Sequence, residues 1–216
     1  MNDAKVFFRR NLPHYQPAGA TFFITFRVAG SLPAEVVQRL KDELRRQLKA
    51  AGKDRVLAYR SRIKHFGKFD EYLDRVSYGE PWLARDEIAR VVAESLRYWD
   101  GLRYYLLCHC IMPNHVHLVI EPFASAVAQV GNLRYLLSPI LHSIKRHTAV
   151  QANRILRRRG PFWQHESYDH VVRDEEELAR IVWYVAHNPV KAELTARWND
   201  WRWTYVRPEL AAGILD

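Results

Sequence analysis

His115 and His117 stand one residue apart in CIMPNHVHLVI, residues 110–120, inside a run of strand-forming residues. Side chains alternate along a strand, so the two imidazoles share a face with Val119 and Glu121, while Val116, Leu118 and Ile120 take the other. The alternation predicts a half-buried strand with an apolar core face and a polar face that carries the histidines. Same-face neighbours lie about 7 Å apart, so two imidazoles, the commonest metal ligands, can converge on one ion. Such triplets also decorate ordinary solvated strands, so the pair needs a further ligand and a reactive group before it means chemistry.

Both are available in WYVAHNPV. The apolar stripe of a helix there is Leu178, Ile181, Val182 and Val185, and at 100° per residue Tyr184 falls roughly 110° from its centre. Asn188 lies four residues on, above Tyr184 on the same side. A phenol, with an ordinary pKa near 10, is a workable nucleophile toward a phosphodiester when a metal withdraws charge from the phosphoryl oxygens. A covalent phosphotyrosine would conserve the energy of the broken bond, so that cleavage could be reversed as joining without ATP.

The elements that must position these groups can be read from periodicity. TFFITFRV (21–28), β-branched and aromatic after Pro17 and Gly19, reads as a strand. Residues 33–50 place Val36, Leu40, Leu44 and Leu48 at helical spacing, with Gly52 as a stop. Residues 52–85 have no clean period and pass from basic to mixed charge, which predicts a partly helical insertion at the surface. DEIARVVAESLRYWDG (86–101) predicts a helix with Asp86 as N-cap and Gly101 beyond its end.

RYYLLCHCIM and HVHLVIEP flank Pro113-Asn114 and predict a hairpin. RYLLSPILHSIKRHTAVQANRIL follows as a helix with a basic side, interrupted near Pro139, and Arg157-Arg158-Arg159-Gly160 forms a loop. PFWQHESYDHVVR (161–173) reads as extended, and DEEELARIVWYVAHNPV as a helix opened by an Asp174/Glu177 box and closed by Pro189. The order predicts the α+β class: a central antiparallel sheet with helices packed on one face. One domain is expected over 1–216, with the insertion at about 52–85 and a C-terminal tail from about 196.

The 216-residue chain is 48% hydrophobic and 26% charged, within the ordinary range of soluble globular proteins rather than disordered or fibrous ones. Its 33 Lys+Arg against 24 Asp+Glu give a net charge of +9, a field that favours polyanions such as nucleic acid. No apolar run approaches the roughly 20 residues of a membrane span. The first residues lack the apolar region of a secretion signal, so a cytoplasmic protein is expected. Basic residues spread over several elements, which argues against a membrane-surface helix. Cys108 and Cys110, at i, i+2 on a strand, are expected to be reduced and buried.

MPNHVHLVI resembles the HUH motif (His, hydrophobic, His), and WYVAHNPVKAEL resembles the catalytic-tyrosine helix of single-tyrosine HUH transposases. More narrowly, LPHYQPAGATFFITFRVAGSLP, GKFDEYLDRVSYGEPWL and GPFWQHESYDHVVRDEEELARIVWYVAHNPVKAEL are similar to REP-associated tyrosine transposases, over about residues 9–205. The resemblance implies a ferredoxin- or RRM-like palm. It also implies cleavage and rejoining of single-stranded DNA beside hairpins formed by repetitive extragenic palindromes. It makes His115 and His117 metal ligands, Tyr184 the nucleophile that becomes a 5′-phosphotyrosine, and Asn188 the match to a third polar ligand. Imidazole and amide ligands with open positions admit several divalent ions, and Mg or Mn is expected. Glu193 stands where relatives commonly have Gly. Some transposases of the wider family are dimers that exchange the tyrosine helix, whereas the REP-associated branch implies a monomer.

Single strands are held by basic side chains on phosphates and aromatic faces on bases. Lys145, Arg146, His147, Arg154, Arg157, Arg158 and Arg159 are the candidate DNA contacts beside the expected site. Trp163 and Tyr168 are either base-stacking or core aromatics. Two other functions stay open: a catalytically silent hairpin-binding regulator, and a metal-dependent phosphodiesterase that uses water.

Overall fold

The computed structural model describes residues 7–9, 13–15, 19–75, 78–123 and 137–214. Two short strands, β1 (Phe7–Arg9) and β2 (Pro13–Tyr15), form an N-terminal hairpin. They are followed by β3 (Phe22–Val28), α1 (Ala34–Ala51), α2 (Arg55–Asp74) and α3 (Asp86–Tyr98). The hairpin β4 (Tyr104–Ile111) and β5 (His115–Pro122) comes next. Then come α4 (Leu137–Ile155), β6 (Trp163–Val171), α5 (Glu175–Lys191), β7 (Thr204–Val206) and the single-turn α6 (Pro208–Ala211).

The main sheet has five strands in the order β6-β3-β5-β4-β7, every pair antiparallel. With the helices that cover it, this is the expected α+β architecture. The difference lies in the coverage. On one face, Ile24 and Phe26 of β3 and Val116, Leu118 and Ile120 of β5 pack against α3 and α4 through Ile88, Val92, Leu96, Ile140 and Ile144. The other face, expected to be polar, is a second core in which Phe23, Val119, Cys108 and Cys110 meet Phe66 of α2 and Val182, Val185 and Ala186 of α5. Alternation sorts residues between faces correctly, but it cannot say whether a helix comes to cover the second one. Both cysteines are free and buried, as expected.

Residues 52–85 are partly helical, as expected, but α2 is not only a surface element: its buried stripe, Ser61, Phe66, Asp70 and Leu73, packs onto the molecule. Two of those four side chains are polar, which is why no apolar period is visible there. Beyond α2, Gly79 at φ +71 runs so close to the β3 turn that a Cβ would come to 2.6 Å from the Gly30 carbonyl oxygen. Arg85, not Asp86, is the N-cap of α3, and Asp86 instead pairs with Arg202 at 2.5 Å. Pro139 sits in the first turn of α4, where a missing N–H costs nothing. The expected helical residues 134–136 lie outside the described residues.

The helix that carries Tyr184 is anchored at both ends. At its start, Asp174 Oδ1 accepts from Glu177 N at 2.7 Å, whereas the Glu177 carboxylate reaches back to Arg173 N at 2.8 Å, one residue earlier than in a capping box. Burial pushes the Glu177 carboxyl up, but hydrogen bonds from Arg173, Tyr59 and His170 outweigh it and hold the group at about 2. This ties α5 to α2 and β6. At its end, Pro189 does not close the helix, which runs on to Lys191. Leu194 N donates to Pro189 O at 2.9 Å and Glu193 N to Val190 O at 3.0 Å, a Schellman closure one turn after the proline.

Glu193 occupies the left-handed position of that closure at φ +57, so the turn is kept with a side chain where glycine fits without strain. Glu193→Gly is expected to stabilise the fold by about 0.5–1 kcal/mol, raising Tm by about 2–3 °C. Scanning calorimetry checks this, and a lowered Tm would contradict it.

Candidate active site

The site grows from the register of three neighbouring strands. β5 is central, with Thr25 and Arg27 of β3 opposite His117 and His115, and Cys110 of β4 opposite His117 on the other side. Both histidines are 0% exposed. Their Nε2 atoms converge to 3.0 Å. Asn114 Nδ2 donates to Leu73 O at 3.0 Å, which leaves Asn114 Oδ1 to accept from His115 Nδ1 at 2.7 Å. That tautomer bares the His115 Nε2 lone pair. Thr25 Oγ1 lies 2.8 Å from His117 Nδ1 and can accept or donate there, so it accommodates either tautomer of His117, including the Nδ1-protonated one that bares the Nε2 lone pair. Burial, followed by the field of Lys191, lowers His115 to about 3, and burial with the His115 and Lys191 fields lowers His117 well below the ordinary imidazole value. At neutral pH both are uncharged.

Asp70 arrives from α2. Its Oδ1 lies 3.3 Å from His117 Nε2 and 3.8 Å from His115 Nε2, so His115, His117 and Asp70 form a buried group able to hold a metal ion. Burial, then the neighbouring Asp74, pushes the Asp70 carboxyl well above the carboxylate range, against the pull of Lys191 and Asn188. Asp70 Oδ1, Asp74 Oδ1 and Asn188 Oδ1 are buried acceptors without a donor among the described residues. Unmet oxygens gathered around two imidazole lone pairs are the donor set of a divalent cation. The residues therefore fit a metal.

Tyr184 and Asn188 come to this place from α5. The Tyr184 ring lies edge-on to Phe23 and Phe66, with centroids 6.2 Å away in each case, and 5.7 Å from the His117 ring. Its hydroxyl donates to Asp70 Oδ2. Asn188 Nδ2 also reaches Asp70 Oδ2, at 3.4 Å. Lys191 Nζ pairs with Asp74 Oδ2 at 2.8 Å and stands 5.6 Å from the Tyr184 ring centroid.

Sequence reasoning missed Asp70, Asp74 and Lys191. The signal was the i, i+4 spacing of Asp70 and Asp74 in FDEYLD, which puts both carboxylates on one side of a helix.

The sequence and the fold have counterparts. No family model matches the chain. A protein of Haemophilus influenzae described as a REP-associated tyrosine transposase is 26% identical over 106 residues, 49% of this chain and 60% of that protein. The chain is related to the REP-associated tyrosine transposases. In fold it is similar to a REP-associated tyrosine transposase solved bound to a REP hairpin, with a TM-score of 0.53 and 13% identity over 96% of this chain and 89% of that one. The sequence match thus spans about three fifths of the curated relative's length.

The expected DNA contacts are placed less favourably than the chemical residues. α4 packs on the first face of the sheet, so Arg146 and Arg154 lie on the side opposite the histidines, not beside them. Lys145 Nζ donates to Gln164 O at 2.8 Å, His165 O at 3.2 Å and Ser167 Oγ at 3.0 Å. Those bonds use all three of its hydrogens. Arg158 Nη1 binds Asn153 Oδ1 at 3.0 Å, and its guanidinium covers the Trp82 ring. Arg146, Arg154, Arg157 and Arg159 are exposed. Trp163 is buried with Nε1 on Thr148 Oγ1 at 2.8 Å, and Tyr168 stacks on Phe66 at 4.3 Å, so both are core aromatics.

Removing the Asp70 charge while keeping an acceptor for Tyr184 isolates its part in metal binding. Asp70→Asn is expected to weaken Mn binding, measured by isothermal titration calorimetry, by at least about tenfold, the scale on which even outer partners of metal-bound histidines act. Unchanged affinity would remove Asp70 from the site.

Proposed function

We propose that this protein cleaves and rejoins single-stranded DNA near palindromic hairpins, with Tyr184 as the nucleophile. The observation that carries the reading is the contact between the Tyr184 hydroxyl and Asp70 Oδ2, because the same carboxylate turns its other oxygen toward the two histidines. A nucleophile and a cation site therefore meet on one residue. The relationship to REP-associated tyrosine transposases and the likeness to one solved with a REP hairpin support DNA as the substrate.

In this reading His115, His117 and Asp70 hold a divalent ion, Mg or Mn, with the Asn188 amide oxygen as a further ligand. The ion supplies Lewis-acid withdrawal of charge from the phosphoryl oxygens. Tyr184 Oη attacks the phosphorus and forms the phosphotyrosine bond to the 5′ side of the cut. The bond to the 3′ oxygen breaks, leaving a 3′-OH. Asp70 Oδ2 is the acceptor in place for the phenol proton. Attack by a 3′-OH on the phosphotyrosine reverses the sequence and rejoins a strand. Phe23 and Phe66 fix the ring, so orientation is set before substrate arrives. The chain is read as acting as a monomer.

Mixing the protein and Mn with an end-labelled hairpin oligonucleotide on denaturing gels tests this. The wild type is expected to give a protease-sensitive covalent adduct, and Tyr184→Phe none. Hairpin binding without any adduct would favour a silent regulator, and cleavage by Tyr184→Phe a water-using phosphodiesterase.

A further inference from the structure

We propose that Arg27 forms a built anion site that grips a backbone phosphate of the DNA strand beside the histidine pair. Its assignment to DNA rests on the function proposed above, whereas the anion site itself does not.

Arg27 sits opposite His115 in the β3–β5 register, one pair along from Thr25 and His117, whose side chains touch. It is therefore on the histidine face of the sheet. The β3–β6 register shifts between Phe26 and Val28, where Arg27 alone faces the extra residues 164–166 of β6.

The guanidinium is deeply placed, with the residue only 7% exposed. It carries five N–H donors. Among the described residues it makes one hydrogen bond, from Nη1 to Ser31 Oγ at 3.0 Å, and lies 5.6 Å from the centroid of Phe69, the residue before Asp70. No carboxylate among the described residues lies within 4.0 Å of it. Glu166 acts on Arg27 at longer range and is held by Lys41 at 2.8 Å.

A second cation stands nearby. Burial, and then the field of Arg27, pushes Lys145 down to about 8, while its ammonium stays fixed on β6. Burial lowers Arg27 itself to about 10. Two sunken cations with their nearby carboxylate engaged elsewhere are costly to fold. A planar fork with unfilled donors matches phosphate, and phosphate contacts are what fix a strand's register on a protein. Its position opposite His115, one same-face pair along from His117, suits the phosphate next to the reacting one.

A structural arginine and a ligand-holding one respond oppositely to Arg27→Met, which keeps length and removes charge. The free protein is expected to melt at the same temperature or higher. Affinity for a hairpin-bearing single-stranded oligonucleotide, followed by fluorescence anisotropy, is expected to fall about tenfold, and the slope of log K against log salt to shrink by about 0.7. Arg27→Lys is expected to keep the slope but lose affinity, because it retains the charge without the fork.

In a second arm, inorganic phosphate is expected to raise the wild-type Tm above that in chloride at equal ionic strength, and to do nothing for Arg27→Met. A lowered Tm for Arg27→Met with unaltered affinity and slope would make Arg27 structural and overturn the proposal. If the wild type binds no single strand, the DNA reading fails, and the phosphate arm decides the anion site: a gain lost in Arg27→Met sustains it, and no gain in the wild type refutes it.

Discussion

Asp70 puts a fully buried carboxyl against two uncharged imidazoles, and most of the architecture around the site answers to that placement. An isolated carboxylate in such surroundings is strongly disfavoured, and Asp70 Oδ1, Asp74 Oδ1 and Asn188 Oδ1 have no donor among the described residues. Protons or a cation must meet them. The histidines cannot do so as imidazolium, because burial holds both neutral. The cluster thus gathers lone pairs whose chemistry suits positive charge, part of which Lys191 supplies from the side of Asp74. The exclusion of water strengthens every electrostatic contact made there.

That placement depends on tertiary packing, not on any one element. The histidines come from a central strand, Asp70 from α2 and Tyr184 from α5. Phe23, Phe66 and Tyr168 form the apolar contact that brings the helices onto the sheet. Glu177, bonded to Tyr59, His170 and Arg173, secures the far end of α5. Covering the second sheet face with helices is therefore what converts two same-face histidines into a site. The exposed arginines of α4 lie across the sheet from it.

Much of this was legible in the chain. The hairpin, α1, α5, the α+β order and the shared face of His115 and His117 follow from periods of 2 and 3.6 residues and from Gly and Pro punctuation. Tyr184 and Asn188 were placed on the correct side of their helix, and the structure brings both to the histidines. What was not legible has a common cause. Periodicity reports which residues share a face and is silent on what packs there, so the second core was read as solvent. In α2 the buried stripe includes Ser61 and Asp70, and the polarity that makes the helix part of the site erased its apolar signature. Lys145 looked like a surface cation because nothing local shows that three acceptors on β6 await it.

The central claim is that a helix outside the histidine motif completes the metal site. Anomalous diffraction at the manganese edge from crystals grown with Mn tests it most directly. The account predicts one strong peak about 2.0–2.3 Å from His115 Nε2, His117 Nε2 and an Asp70 carboxylate oxygen. A peak bound by the histidines with Asp70 turned away, or no peak between them, would contradict it.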